Sequence, residues 1–164
     1  MKRQLRIFGV CFFCFVFFLN CLNAKEHSLS DILNIAKESE KMTKDKVTKI
    51  LGKPTIEVEE NKRKSKWLYN SNKYNLIIHW KNSSETIDRI IFNTGDNIDR
   101  KDFDFNISTK IKSGVTELQQ AIKLLGTPQD MLLKKQTQEV HYCYTNNTLR
   151  LFFRNHVLVD FALY

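Results

Sequence analysis

Val115-Thr116-Glu117-Leu118-Gln119-Gln120-Ala121-Ile122-Lys123-Leu124-Leu125-Gly126-Thr127-Pro128 has an imperfect copy upstream at Met42-Thr43-Lys44-Asp45-Lys46-Val47-Thr48-Lys49-Ile50-Leu51-Gly52-Lys53-Pro54, and that duplication decides how the chain is read. Each stretch predicts a short helix with both ends marked. Thr43 and Thr116 are N-cap candidates, because a Thr hydroxyl accepts a hydrogen bond from an unpaired first-turn N–H. Gly52 and Gly126 suit the left-handed residue that closes a helix, and Pro54 and Pro128 prevent its resumption. These are the only two prolines in the chain.

The segments that follow correspond as well. Trp67-Leu68-Tyr69 matches Tyr142-Cys143-Tyr144, Leu76-Ile77-Ile78-His79-Trp80 matches Leu149-Arg150-Leu151-Phe152-Phe153, and Ile87-Asp88 matches Val159-Asp160. The offset drifts from 75 to 72 residues, as length changes in hairpin loops would produce. Two copies of a helix-then-antiparallel-strands unit are expected.

Met1 to Ala24 reads as a targeting segment: Lys2, Arg3 and Arg6 precede an uncharged apolar run, Ile7 to Leu19, and the small residue Ala24 offers a cleavage point. Thirteen apolar residues fall short of the roughly 20 that span a bilayer, which favours export with cleavage over a permanent anchor. The alternative is lipidation at Cys21, since Phe18-Leu19-Asn20-Cys21 loosely resembles a lipobox. Cys11 and Cys14 lie inside the apolar run and read as small hydrophobes. Cleavage after Ala24 leaves Cys143 alone, so no internal disulfide forms and stability rests on packing. It also removes three basic residues from a chain of net charge +8. The moderate excess that remains fits an anionic membrane surface or an acidic partner.

The expected organisation is a signal peptide at 1–24, a first unit at 25–94, a linker at 95–110 and a second unit at 111–164. Ser28 to Glu40 predicts an amphipathic helix capped by Ser28 or Ser30, with Leu29, Ile32, Leu33, Ile35 and Ala36 on one face. From Thr55 the period changes to two: a strand over Thr55 to Glu60, a hairpin of Lys66 to Asn70 with Tyr74 to Lys81, and a strand over Ile87 to Asn93. Asp96, Asp99, Asp102 and Asp104 cluster in the linker, but Arg100 and Lys101 interrupt them and calcium-loop spacing is missing, so they read as a solvated connection. Phe103, Phe105 and Ile107 alternate as an extended segment would.

In the second half Leu149, Leu151 and Phe153 face inward and Arg150, Phe152 and Arg154 outward. By correspondence Leu76, Ile78 and Trp80 point in, while Ile77, His79 and Lys81 point out. Trp67, Tyr69, Trp80, Tyr142 and Tyr144 are expected in the core. The outward face yields the candidate protein-binding surface: Lys66, Leu68, Ile77, His79, Lys81, His141, Arg150, Phe152 and Arg154.

With these residues in view, Ile111-Lys112-Ser113-Gly114-Val115-Thr116, Leu124-Leu125-Gly126-Thr127-Pro128, the aromatic-x-aromatic strand and the alternating strand after it resemble the SmpA/OmlA (BamE-like) domain of bacterial outer-membrane assembly lipoproteins. Two such units in tandem resemble the β-lactamase-inhibitor-protein-like fold. The resemblance implies an α+β fold of two tandem repeats, each a short helix pair packed on one face of an antiparallel sheet. It also implies binding rather than catalysis, in an assembly accessory or an inhibitor. This chain departs from the pattern at Lys41, which stands in place of Gly114, and at Arg89, whose expected position is inward, equivalent to Phe161.

The residue inventory points the same way. No Gly-rich phosphate loop, nucleophile elbow or paired metal-ligand motif occurs, so no enzyme activity and no cofactor are expected. A two-histidine metal site, and with it a degenerate hydrolase, would require His79 and His141 to meet. Export argues against nucleic acid as a partner. The expected function is a non-enzymatic protein-binding module of the cell envelope, periplasmic or outer-membrane-associated. The alternative is a small-ligand or lipid-binding envelope protein with a pocket between two sheets.

Overall fold

The computed structural model describes residues 27–81, 85–95 and 100–164, apart from the side chains of 107 and 108. The expected targeting segment at 1–24, with Cys11, Cys14 and Cys21, and the linker acids Asp96 and Asp99 lie outside the described residues.

The first helix, α1, is Leu29–Lys37, and its start follows from local chemistry. Ser28 Oγ accepts from the Asp31 N–H at 3.1 Å, and the Asp31 carboxylate accepts from the Ser28 N–H in return. Helix α2, Lys44–Leu51, starts at Thr43, whose hydroxyl accepts from the Lys46 N–H. The strands are β1 (Ile56–Asn61), β2 (Lys64–Asn70), β3 (Asn75–Lys81), β4 (Thr86–Asn93), β5 (Asp130–Lys134), β6 (Thr137–Cys143), β7 (Thr148–Arg154) and β8 (Val157–Leu163). Between β4 and β5 run α3, a single turn at Phe105–Ser108, and α4, Leu118–Leu125.

All eight strands form one antiparallel sheet in chain order. This overturns the expected α+β pair of helix-pair repeats. Arg89–Asn93 of β4 pairs with Asp130–Lys134 of β5, so the halves share a single sheet and leave no cleft between two sheets. Among the described residues, only the first half carries two helices of more than one turn. Where the second half needs a partner for α4, Phe103 to Ser108 lacks the apolar spacing of a helix and forms one turn instead of the expected extended segment. The protein is mostly β, with short helices on one face.

What recurs between the halves is narrower. Gly52 and Gly126 close α2 and α4 with φ of 74° and 86° and ψ of −169° and −161°. That is the extended positive-φ region, accessible essentially to glycine alone, and not the left-handed helical residue expected there. In each half a buried tyrosine reaches back to that glycine: Tyr69 Oη donates to the Gly52 carbonyl and Tyr142 Oη to the Gly126 carbonyl, both at 3.3 Å. Burial pushes both phenols well above their ordinary pKa. Equivalent bulges interrupt β3–β4 between His79 and Trp80 and β7–β8 between Phe152 and Phe153.

The core lies between the helices and the sheet. Ile32, Ile35, Val47, Leu51, Leu118 and Ala121 meet Trp67, Tyr69, Leu76, Ile78, Trp80, Ile90, Phe92, Met131, Leu133, Val140, Tyr142, Leu149, Leu151 and Phe153 in one cluster. Of the five aromatics expected there, Tyr144 is half-buried and the rest are buried. Thr116 is not the cap of α4; Glu117 holds that place. Thr116 is buried instead, its Oγ1 accepting from the Lys112 N–H at 2.8 Å and its carbonyl from the Leu158 N–H. The segment before α4 thereby covers the N-terminal part of the β8 edge.

One buried polar side chain ties two turns together. Gln138 Nε2 donates to the carbonyls of Lys134 and Lys135 at 2.8 and 3.3 Å, and its Oε1 accepts from the His156 N–H at 3.0 Å. The β7–β8 turn there is Asn155-His156, with φ of 50° and 67°, the positive pair that a two-residue turn matched to strand twist requires.

Candidate protein-binding face

Strand side chains alternate, so burying Trp67, Ile78, Ile90, Val140 and Leu151 against the helices sends their neighbours to the opposite face. Cross-strand partners share a face, and the register therefore sorts the open face into transverse rows. One row is Ile56, Leu68, Ile77, Ile91 and Leu132, an apolar run over β1 to β5 that continues through Glu139 to Phe152 and Asp160. Beside it runs Lys66, His79, Arg89 and Lys134, with Arg154 in line on β7. On the other side run Asn70, Asn75, Asn93, Asp130, His141 and Arg150.

All nine residues read from the sequence as a candidate surface stand on this face. Leu68, Ile77 and Phe152 lie in the apolar row, Lys66, His79 and Arg154 in the cationic row, His141 and Arg150 in the polar row, and Lys81 beside Lys64 and Thr86 at its margin. Sequence reasoning missed Arg89, Ile91, Leu132 and Lys134 at its centre. The bulge after His79 shifts the parity of β4, so Arg89 faces outward rather than inward as expected. Strand β5, only five residues long, supplies the other two.

Some of the charges are paired within the face. Lys66 meets Glu60 at 3.2 Å, Lys81 meets Asp88 at 3.3 Å, and His141 Nε2 contacts Glu139 at 2.6 Å. The Arg150 guanidinium lies 5.4 Å from the Tyr164 ring centroid. No ion pair among the described residues engages Arg89, Lys134 or Arg154, and Arg89 Nε is buried without a hydrogen-bond partner. Burial, then the Arg89 charge, holds the His79 imidazole below its ordinary pKa; Lys66 acts the same way, against Glu60 and Asp88.

His79 and His141 do not meet, because β4 and β5 separate their strands by roughly 14 Å at the usual spacing. No group of three or more His, Cys, Asp or Glu gathers to hold a metal ion among the described residues. A hollow of about 260 Å³ opens on the face, bordered by Leu132, Lys134, Glu139, Phe152 and Arg154. A larger hollow, about 500 Å³, lies at the end of the sheet near Lys73, Lys101, Tyr142 and Cys143. Cys143 is a free thiol there.

No family model matches the chain, and no curated protein matches it. Among solved structures, a candidate beta-lactamase inhibitor protein from Streptococcus mutans superposes with a TM-score of 0.53 at 10% identity, covering 85% of this chain and 98% of that one. A DUF4309-family protein from Bacillus subtilis, 17% identical over 82% of this chain and 92% of its own, reaches a TM-score of 0.30, too low to carry an argument. At such identities likeness speaks to fold alone: the chain shares the β-lactamase-inhibitor-like fold of the Streptococcus mutans protein.

Proposed function

We propose that the chain is a non-enzymatic protein-binding module of the bacterial cell envelope, exported by its first 24 residues, and that it docks its partner on the uncovered sheet face. The observation that carries this reading is the continuity of the apolar row across the β4–β5 joint, from Ile56 to Leu132. Eight strands at the usual spacing, each about seven residues long, make a face of roughly 34 by 20 Å. That is close to the roughly 800 Å² each partner contributes to a standard interface. Its composition, apolar centre with charged margins, is that of an interface core and rim.

Two finer versions follow. Likeness in fold to the candidate beta-lactamase inhibitor protein of Streptococcus mutans favours an inhibitor, and the SmpA/OmlA-like order of motifs favours an envelope-assembly accessory. Adding the purified protein to a β-lactamase tests the first by loss of turnover. For the face itself, wild type and an Ile77→Ala/Phe152→Ala variant are used to capture proteins from envelope extracts of the native cells. Loss of one wild-type partner from the variant, with an unchanged far-UV spectrum, is the expected result. Equal capture by both removes the face from the binding site.

A further inference from the structure

The cationic row has a cost that folding does not explain. Lys66, His79, Arg89 and Lys134 occupy consecutive cross-strand positions on β2 to β5, where directly opposed like charges destabilise a sheet. Glu60 answers Lys66. Arg89 and Lys134 face each other across β4 and β5 with no acid paired to either, Arg89 half-buried and Lys134 exposed. A guanidinium with no internal acid can take a carboxylate through parallel hydrogen bonds.

The apolar neighbours set the rest of the geometry. Ile91 and Leu132 lie one step along the same two strands from Arg89 and Lys134, about 7 Å away at strand spacing. The hollow bordered by Leu132, Phe152, Lys134 and Arg154 continues that arrangement toward β7. We infer that the partner of this face is a protein presenting an apolar ridge edged on one side by carboxylates, which seat against Arg89, Lys134 and Arg154 while the ridge covers Ile77, Ile91 and Leu132. This rests on the docking face proposed above and adds the chemistry of what docks there. An anionic bilayer fits less well: Glu60, Asp88, Glu139 and Asp160 are interspersed on the same face, and the central apolar side chains are half-buried rather than protruding.

The test uses two designed peptides and one vesicle preparation. A seven-residue peptide alternating Leu with Glu, and its counterpart alternating Leu with Gln, are titrated into the labelled protein at low ionic strength and followed by amide shifts. The expected result is shifts centred on Ile77, Ile91 and Leu132, with the Glu peptide bound about 10-fold more tightly. That preference should vanish in an Arg89→Gln/Lys134→Gln variant. The same variant, free of peptide, should unfold at higher urea than wild type in low salt, with the difference closing in 1 M salt. Equal binding of both peptides on the face keeps the docking surface and overturns the acidic partner. No binding of either peptide overturns both. Binding to phosphatidylglycerol vesicles through the same cations, with the peptides inert, replaces the protein partner by a membrane and overturns the inference.

Discussion

Replacing Gln138 by Leu gives a sharp test of how the second half of the sheet is held. The side chain is 2% exposed and makes three bonds to main-chain groups at two separate turns. Leucine fills similar space but leaves the Lys134 and Lys135 carbonyls and the His156 N–H without their partner. Lys134 and Lys135 are exposed, so water can replace part of what the carbonyls lose; His156 is half-buried, and its N–H is compensated less. At about 1 kcal/mol per bond, less for the 3.3 Å one, and with a small gain from the added apolar surface, the net loss is about 2 kcal/mol. Urea unfolding followed by the fluorescence of buried Trp67 and Trp80 should show a lower midpoint with an unchanged slope. Gln138→Glu should be worse at neutral pH, since its carboxylate faces two carbonyls, and should recover in part on acidification, when the acid can donate. A Gln138→Leu protein as stable as wild type would refute the reasoning, because it would mean that the bonds seen here contribute nothing.

Two further outcomes follow. Tyr69→Phe and Tyr142→Phe should each cost about 0.5–1.5 kcal/mol, and the double variant should cost their sum within about 0.5 kcal/mol, because the bonds lie in different halves of the sheet; a strongly non-additive urea result would show that the two sites are coupled. His79 and His156 are both held below their ordinary pKa, chiefly by burial, so the unfolded chain binds protons more readily than the folded one. The stability they contribute is present above the unfolded value of about 6.5 and falls as the pH drops below it, so the urea midpoint should be lower at pH 5.5 than at 7.5 and the drop smaller in His79→Gln.

Individual elements were legible because their signals are local, while the architecture that joins them was not. Ser28 and Thr43 cap the helices they precede, and strand alternation placed all nine surface candidates on one face. Two of the failures are tertiary contacts overruling a local preference. Thr116 is a good cap by type, yet its hydroxyl and carbonyl serve Lys112 and Leu158. Arg89 turns outward because one extra residue in β4 reverses the alternation, and no residue type announces that bulge. Strand β5 is short, and its partner β4 lies far back in the chain, so the joint that merges the halves was invisible to periodicity. The centre of the candidate face was missed with it.

That joint also shapes how the molecule comes into being. Six of the seven strand pairings join strands separated by only two to four residues of chain, whereas Asn93 and Asp130 of the β4–β5 pairing are 37 residues apart in sequence. Relative to a four-residue loop, closing one of that length costs about 2 kcal/mol more in chain entropy. The hairpins of each half can therefore assemble early, and their union is the slow, long-range step. The row from Ile56 to Leu132 does not exist until that step is complete, so a partly folded chain lacks the face proposed above for docking.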